Sequence, residues 1–155
     1  RVDAALFQPP LTTRAQKAGF NRLVALVDLG LDYLGTSFAT TRSVIEKKED
    51  LVRRVVKAFV EGIHYFKTNK SAGLQSIAKL MNTNDAEALE ESYDAYAVKF
   101  MARAPYPTQR GIEAILDDLA RTNPKAKGAD PKRFVEPRFL KELEDNGFVA
   151  KLYGK

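Results

Sequence analysis

The order of apolar and polar positions divides the chain into two kinds of sequence. Residues 2–7 alternate loosely and carry Val2, Leu6 and Phe7, the pattern of a short strand. Pro9-Pro10 stop it, because proline fixes φ and lacks an N–H. Thr12-Thr13 then predict the cap of a short helix running through Ala15, Lys17 and Ala18, with Gly19 where a helix-ending glycine belongs. Leu23-Val24-Ala25-Leu26-Val27 predicts a second, buried strand, and Asp28-Leu29-Gly30 a turn. Tyr33 to Thr40, rich in Thr and aromatics, predicts a third extended segment.

From Thr41 onward the period changes to that of helices. Ser43 to Lys47 predicts a short helix and Glu49 to Thr68 a long one, striped by Leu51, Val55, Phe59, Ile63 and Phe66 at spacings of four or three. Residues 71–81 predict another. Asn84-Asp85-Ala86-Glu87 resembles a capping box and opens a helix over 85–103, with a stripe of Leu89, Tyr93, Tyr96, Ala97 and Phe100. Ala104-Pro105-Tyr106-Pro107 is a rigid break, and Thr108 caps a helix over 109–121 with Ile112, Ile115, Leu116 and Leu119 on one face. A polar loop over 122–133 precedes a last helix, 137–146, ended by Asn146-Gly147. Three strands are too few for an independent sheet. With an apolar strand at the first residue, no initiator Met and no signal-peptide pattern, they read as the end of a larger sheet and the chain as the C-terminal part of a longer protein.

Composition narrows the function. The chain has 155 residues, enough for one compact core, and its 45% hydrophobic and 29% charged content is that of an ordinary globular domain. No apolar run approaches the ~20 residues that span a bilayer. The absence of cysteine excludes disulfides, thiolate zinc sites and cysteine nucleophiles, and the single His64 excludes a histidine pair. The net charge of +5 is unevenly spread: residues 82–120 are acidic, and the two flanking stretches are basic. The long helix mixes Arg53, Arg54 and Lys57 with Glu49, Asp50 and Glu61, so it carries no basic stripe for nucleic acid. A basic protein can also gather small anions by long-range steering. Asp85, Glu90, Glu91 and Asp94 read as a solvated acidic face, and no metal site, cofactor box, phosphate loop or nucleophile elbow is expected.

A resemblance runs through nearly the whole chain. It comprises Val2-Asp3-Ala4-Ala5-Leu6, the proline loop, then Ala15…Gly19-Phe20…Leu23. It continues through Asp28-Leu29-Gly30…Tyr33-Leu34-Gly35-Thr36…Ala39-Thr40-Thr41-Arg42 and the helix from Leu51-Val52-Arg53-Arg54 to Gly62-Ile63. Downstream come Pro105-Tyr106-Pro107-Thr108…Gly111-Ile112 and Asp130-Pro131…Phe134-Val135. Together these resemble the C-terminal half of the substrate-binding proteins of nitrate, taurine, aliphatic-sulfonate and thiamine-precursor ABC importers. The resemblance implies an α/β, type 2 periplasmic-binding-protein-like fold, here with about three strands followed by five or six helices. Residues 1–32 would end the second lobe, 33–42 would cross back, and 43–155 would pack helices on the first lobe.

The function it implies is solute capture by lobe closure, without catalysis or cofactor, in an exported, periplasmic or extracytoplasmic protein. The partners would be a small ligand (a sulfonate, nitrate, taurine or a pyrimidine-like compound) and an ABC permease subunit, not nucleic acid. Self-association, or a complementing N-terminal half, would cover the sheet. Gln8 and Pro9 follow a strand end, where open α/β sheets place ligands. Tyr33, Thr36 and Ser37 lie on the crossing segment as orienting hydroxyls, and Arg42 could clamp an anion bidentately. Each has a plainer reading: a structural loop for Gln8 and Pro9, β propensity for Tyr33, Thr36 and Ser37, a surface pair with Glu46 for Arg42. Several relatives carry an acid where Gln8 stands, so this chain points to a neutral or anionic ligand. Alternatives are a thiamine-pyrimidine-synthase-like enzyme on the same fold, and a stand-alone helical adaptor that binds polyanions.

Overall fold

A computed structural model describes residues 2–30 and 34–154, with only the backbone given for Leu26 and Val27. The described residues are helical, without a strand or sheet, and this overturns the expected α/β periplasmic-binding fold. The expected strand at 2–7 is irregular, with a bend at Asp3 and no ladder, and Val2 and Leu6 are exposed. The second breaks at Leu26–Leu29, which winds into a 3₁₀ turn, leaving Leu23 and Val24 in water. The described part of the third, 34–40, is likewise irregular, with a bend at Thr36, and Phe38 is exposed. The reason is pairing: a strand satisfies its backbone only against a neighbour, and no other segment here comes alongside to donate or accept.

The helical expectations hold more closely. The helices are α1 (Leu11–Lys17), α2 (Arg42–Lys47), α3 (Glu49–Thr68), α4 (Lys70–Met81), α5 (Ala86–Tyr93), α6 (Gln109–Leu119), α7 (Arg138–Asp145) and α8 (Phe148–Leu152). Short 3₁₀ turns occupy Pro124–Ala126 and Pro131–Phe134. Thr41 caps α2, Asp85 caps α5 and Thr108 caps α6, each side chain accepting from a backbone N–H three residues on. Asn82, in the left-handed conformation that Asn tolerates, ends α4, and Gly147 at φ +75° separates α7 from α8. Three details differ from expectation. On α3, Leu51, Val55 and Phe59 of the expected stripe are exposed, and Val60, off that stripe, is the fully buried position. Thr12 and Thr13 lie inside α1 and do not cap it. The helix expected over 85–103 is α-helical only to Tyr93; Asp94–Phe100 then winds as a wider π-helix, closed by Met101 N–H on the Tyr96 carbonyl at 2.9 Å.

The chain divides into two compact units. The first is Arg1–Ala25 with Gly62–Ala102; the second is Leu26–Glu61 with Arg103–Lys155. In the second unit, Val60 of α3 packs with Leu140, Leu143 and Val149 of α7 and α8, flanked by Val56, Phe148, Leu152 and Tyr153. A separate cluster there joins Ile112 and Leu116 of α6 to Ala126, with Leu34, Ala129 and Val135 around it. Gly111 is required at that contact, because a Cβ would lie 3.0 Å from the Leu34 backbone nitrogen. In the first unit, Gly73 lets α4 close on the Tyr93 ring, to which a Cβ would come within 2.6 Å.

Candidate functional site

An open concavity lies in the first unit, where α1 faces α5. Its cleft of about 400 Å³ is lined by Thr13, Gln16, Lys17, Glu87 and Glu91. The spacing follows from helix geometry. Thr13, Gln16 and Lys17 stand three and four residues apart on α1, and Glu87 and Glu91 four apart on α5, so each set shares one face.

The two helices meet through polar groups. The Thr12 hydroxyl donates to the Glu91 carboxylate at 3.3 Å, and the buried Thr13 hydroxyl donates to the same oxygen. Lys17 Nζ lies 2.6 Å from Asp85 Oδ2 and 3.0 Å from Glu87 Oε2. Hydrogen bonds to both carboxylates, Asp85 first, raise the Lys17 pKa above its ordinary value. Asp85 is held below the usual carboxylate value by Lys17 and, next, by the Ala88 N–H that it caps. The expected solvated acidic face is thus partly used up inside the unit: Asp85 and Glu91 bind α1, and Lys70 pairs with Glu90 at 2.6 Å. Around the cleft stand one ammonium, two carboxylates, an amide and a hydroxyl. This set can receive a small solute that both donates and accepts hydrogen bonds.

Below the cleft, the Tyr93 hydroxyl donates to the Phe66 and Lys67 carbonyls at 3.0 and 3.1 Å, fixing α5 to the end of α3. Lys67 Nζ donates to the Met101 carbonyl at 2.8 Å and to the Ala97 carbonyl. Both lie at the C-terminal end of the π-helix, where orphan carbonyls and the helix dipole favour a cation.

The residues singled out in the sequence fall as follows. Gln8 and Pro9 belong to the first unit and lead into α1: the Gln8 carbonyl accepts the Leu11 N–H at 2.8 Å, and the Pro9 carbonyl the Tyr96 hydroxyl at 3.4 Å. Tyr33 lies outside the described residues. Thr36 and Ser37 are exposed in an irregular stretch of the second unit. Arg42, at the start of α2, donates to the Arg133 carbonyl at 2.7 Å and so ties α2 to the 3₁₀ turn at Pro131–Phe134. The expected Arg42–Glu46 pair gives way to this long-range bond. Thr13, Gln16 and Lys17 had no individual signature in the sequence; the only signal was three polar residues at helical spacing opposite an acidic helix start.

The chain matches no known protein family, no curated protein and no solved structure.

Proposed function

We propose that this chain acts as a solute-binding component of an ABC importer, holding a small polar organic solute for a permease subunit outside the cytoplasm. The observation that carries the reading is the α1/α5 cleft, with Lys17, Glu87, Glu91 and Gln16 disposed around a space the size of such a solute. Capture rests here on the cleft within the first unit. It calls for no covalent step, only that the solute exchange water's hydrogen bonds for those of the lining groups.

The test is a thermal-shift and calorimetric titration of the 155-residue chain with taurine, ethanesulfonate, nitrate and a 4-aminopyrimidine. A ligand at a hundred times its Kd adds about 2.7 kcal/mol of stability, a rise of roughly 6 °C or more in Tm for a chain of this size. One member of the panel is expected to reach this. A flat response to all four removes the reading.

A second reading, the helical adaptor, is favoured by the helical character of all the regular structure among the described residues. It predicts binding to heparin that weakens steeply between 50 and 200 mM salt.

A further inference from the structure

The loop between α6 and α7 has two faces. Ala126 is buried against Ile112 and Leu116 of α6, and Ala129 and Val135 pack on the same cluster. With these small residues turned inward, Lys125, Lys127, Lys132 and Arg133 are left exposed, as is Arg121, which pairs with Asp118 of α6 at 3.9 Å; within the loop the single acid is Asp130. The loop is braced as well as anchored. Asn123 Oδ1 accepts the Lys125 N–H at 3.1 Å, and Asp130 Oδ1 the Lys132 N–H at 3.0 Å, each opening a 3₁₀ turn with proline in its first positions. Asp130 is therefore engaged locally. Arg42, bound to the Arg133 carbonyl at 2.7 Å, brings one more guanidinium to that end. Beside Arg133 stands Phe134, 58% exposed.

Exposed cations along one braced loop, beside an exposed aromatic, are what seats a protein on an anionic bilayer: the cations meet lipid phosphates, and the ring enters the headgroup boundary. We propose that the 121–134 loop docks this protein on an anionic phospholipid surface. The proposal stands apart from the solute-binding reading, since the loop lies in the second unit and the cleft in the first. It adds nothing that spans: no helix among the described residues is long and apolar enough to cross a membrane. A bare polyanion would account for the cations. It would leave Phe134 without a purpose, for the loop offers no second aromatic on which bases could stack.

Co-sedimentation of the chain with vesicles of phosphatidylcholine, with and without 30% phosphatidylglycerol, tests this. Binding is expected only with phosphatidylglycerol, and 0.5 M NaCl should abolish most of it. Each cation near the surface is worth about a fivefold change in partitioning. Lys125→Gln with Lys127→Gln should therefore weaken binding roughly 20-fold, and reversal of Lys125, Lys127, Lys132 and Arg133 to Glu by more than 100-fold. Phe134→Ser should weaken it several-fold and remove the fraction that survives salt. Helical circular dichroism identifies any variant that fails to fold, and the milder Gln pair stands in for the reversal. Equal binding to both vesicles, or Gln-pair binding equal to wild type, overturns the proposal. So does heparin binding in preference to vesicles together with an unchanged Phe134→Ser, which would mark the loop as a polyanion surface only.

Discussion

The two units are held together by different chemistry. The second rests on two apolar clusters, Val60 with Leu140, Leu143 and Val149, and Ile112 with Leu116 and Ala126. Phe139, 1% exposed, adds to the first of these regions the stacked guanidinium groups of Arg53 and Arg138. The buried positions of the first unit are mostly small or polar: Thr13, Gly73, Ala88, Ser92, Tyr93, Ala95 and Ala97, with Ile63. Its helices meet through Thr13 on Glu91, Lys17 on Asp85, Lys70 on Glu90 and Tyr93 on two carbonyls. Apolar burial is indifferent to pH and salt, whereas half-exposed ion pairs are screened and titrate. Ion pairs also join helices of the second unit, Arg53 to Glu142 at 2.8 Å and Arg138 to Glu49 at 3.5 Å, so both units answer to pH and salt, the second with the larger apolar core beneath them.

Phe139→Ala attacks the apolar unit at its most buried large side chain and should cost about 3–5 kcal/mol through lost transfer energy and the cavity left behind. Amide hydrogen exchange should show the loss over α7 and α8. A cost below 1 kcal/mol would mean the second unit is not built on its core. Gly73→Ala tests the polar unit through shape rather than charge. The new methyl meets a Tyr93 ring that cannot swing away while its hydroxyl holds the Phe66 and Lys67 carbonyls, and overpacking of this kind costs about 1–3 kcal/mol. Urea denaturation reads it, and a neutral result would show that the ring is not pinned.

The smallest expected effect, and the sharpest contrast, is in pH. Asp85 is depressed below its ordinary 3.8, so its contribution is present above that value and is lost as pH falls through the lower folded value. Tyr106 in the second unit is pushed up from 10.0 to about 12 by burial and by the hydrogen bond to Glu144, so its contribution is present below pH 10 and is lost as pH rises through about 12. Exchange profiles should show the first unit opening in acid and the second in alkali. Asp85→Asn, which keeps a capping side chain but no charge, should flatten the acid limb only.

The helices were legible in the sequence because their signals are local. Thr41 and Thr108 are caps that act within three residues, and the helical period of α3 repeats within a turn, but its buried face was misread: Leu51, Val55 and Phe59 are exposed while Val60 is buried. The strands were misread because a strand is a statement about a neighbour. Val2, Leu6, Leu23 and Phe38 have the right residue types, but a pairing segment cannot be read from them, and in the structure they face water. The π-helix was invisible for a related reason, since Tyr93, Tyr96, Ala97 and Phe100 fit an α stripe equally well. Of the site, the acidic start of α5 could be seen, but not its partner. Nothing in Thr13 or Lys17 announces that α1 folds against Glu91 and Asp85, 78 and 68 residues away.

The wide coil at Asp94–Phe100 makes length matter more than identity at this place in the gene. Val98 and Lys99 face water and can drift freely. A single codon lost there would let the coil rewind as an α-helix and turn everything after it by roughly 100° about the axis. That would carry the Met101 carbonyl away from Lys67. Among descendants of this sequence, substitutions should accumulate at Val98 and Lys99, but not at the buried Ala95 and Ala97, while in-frame deletions are purged.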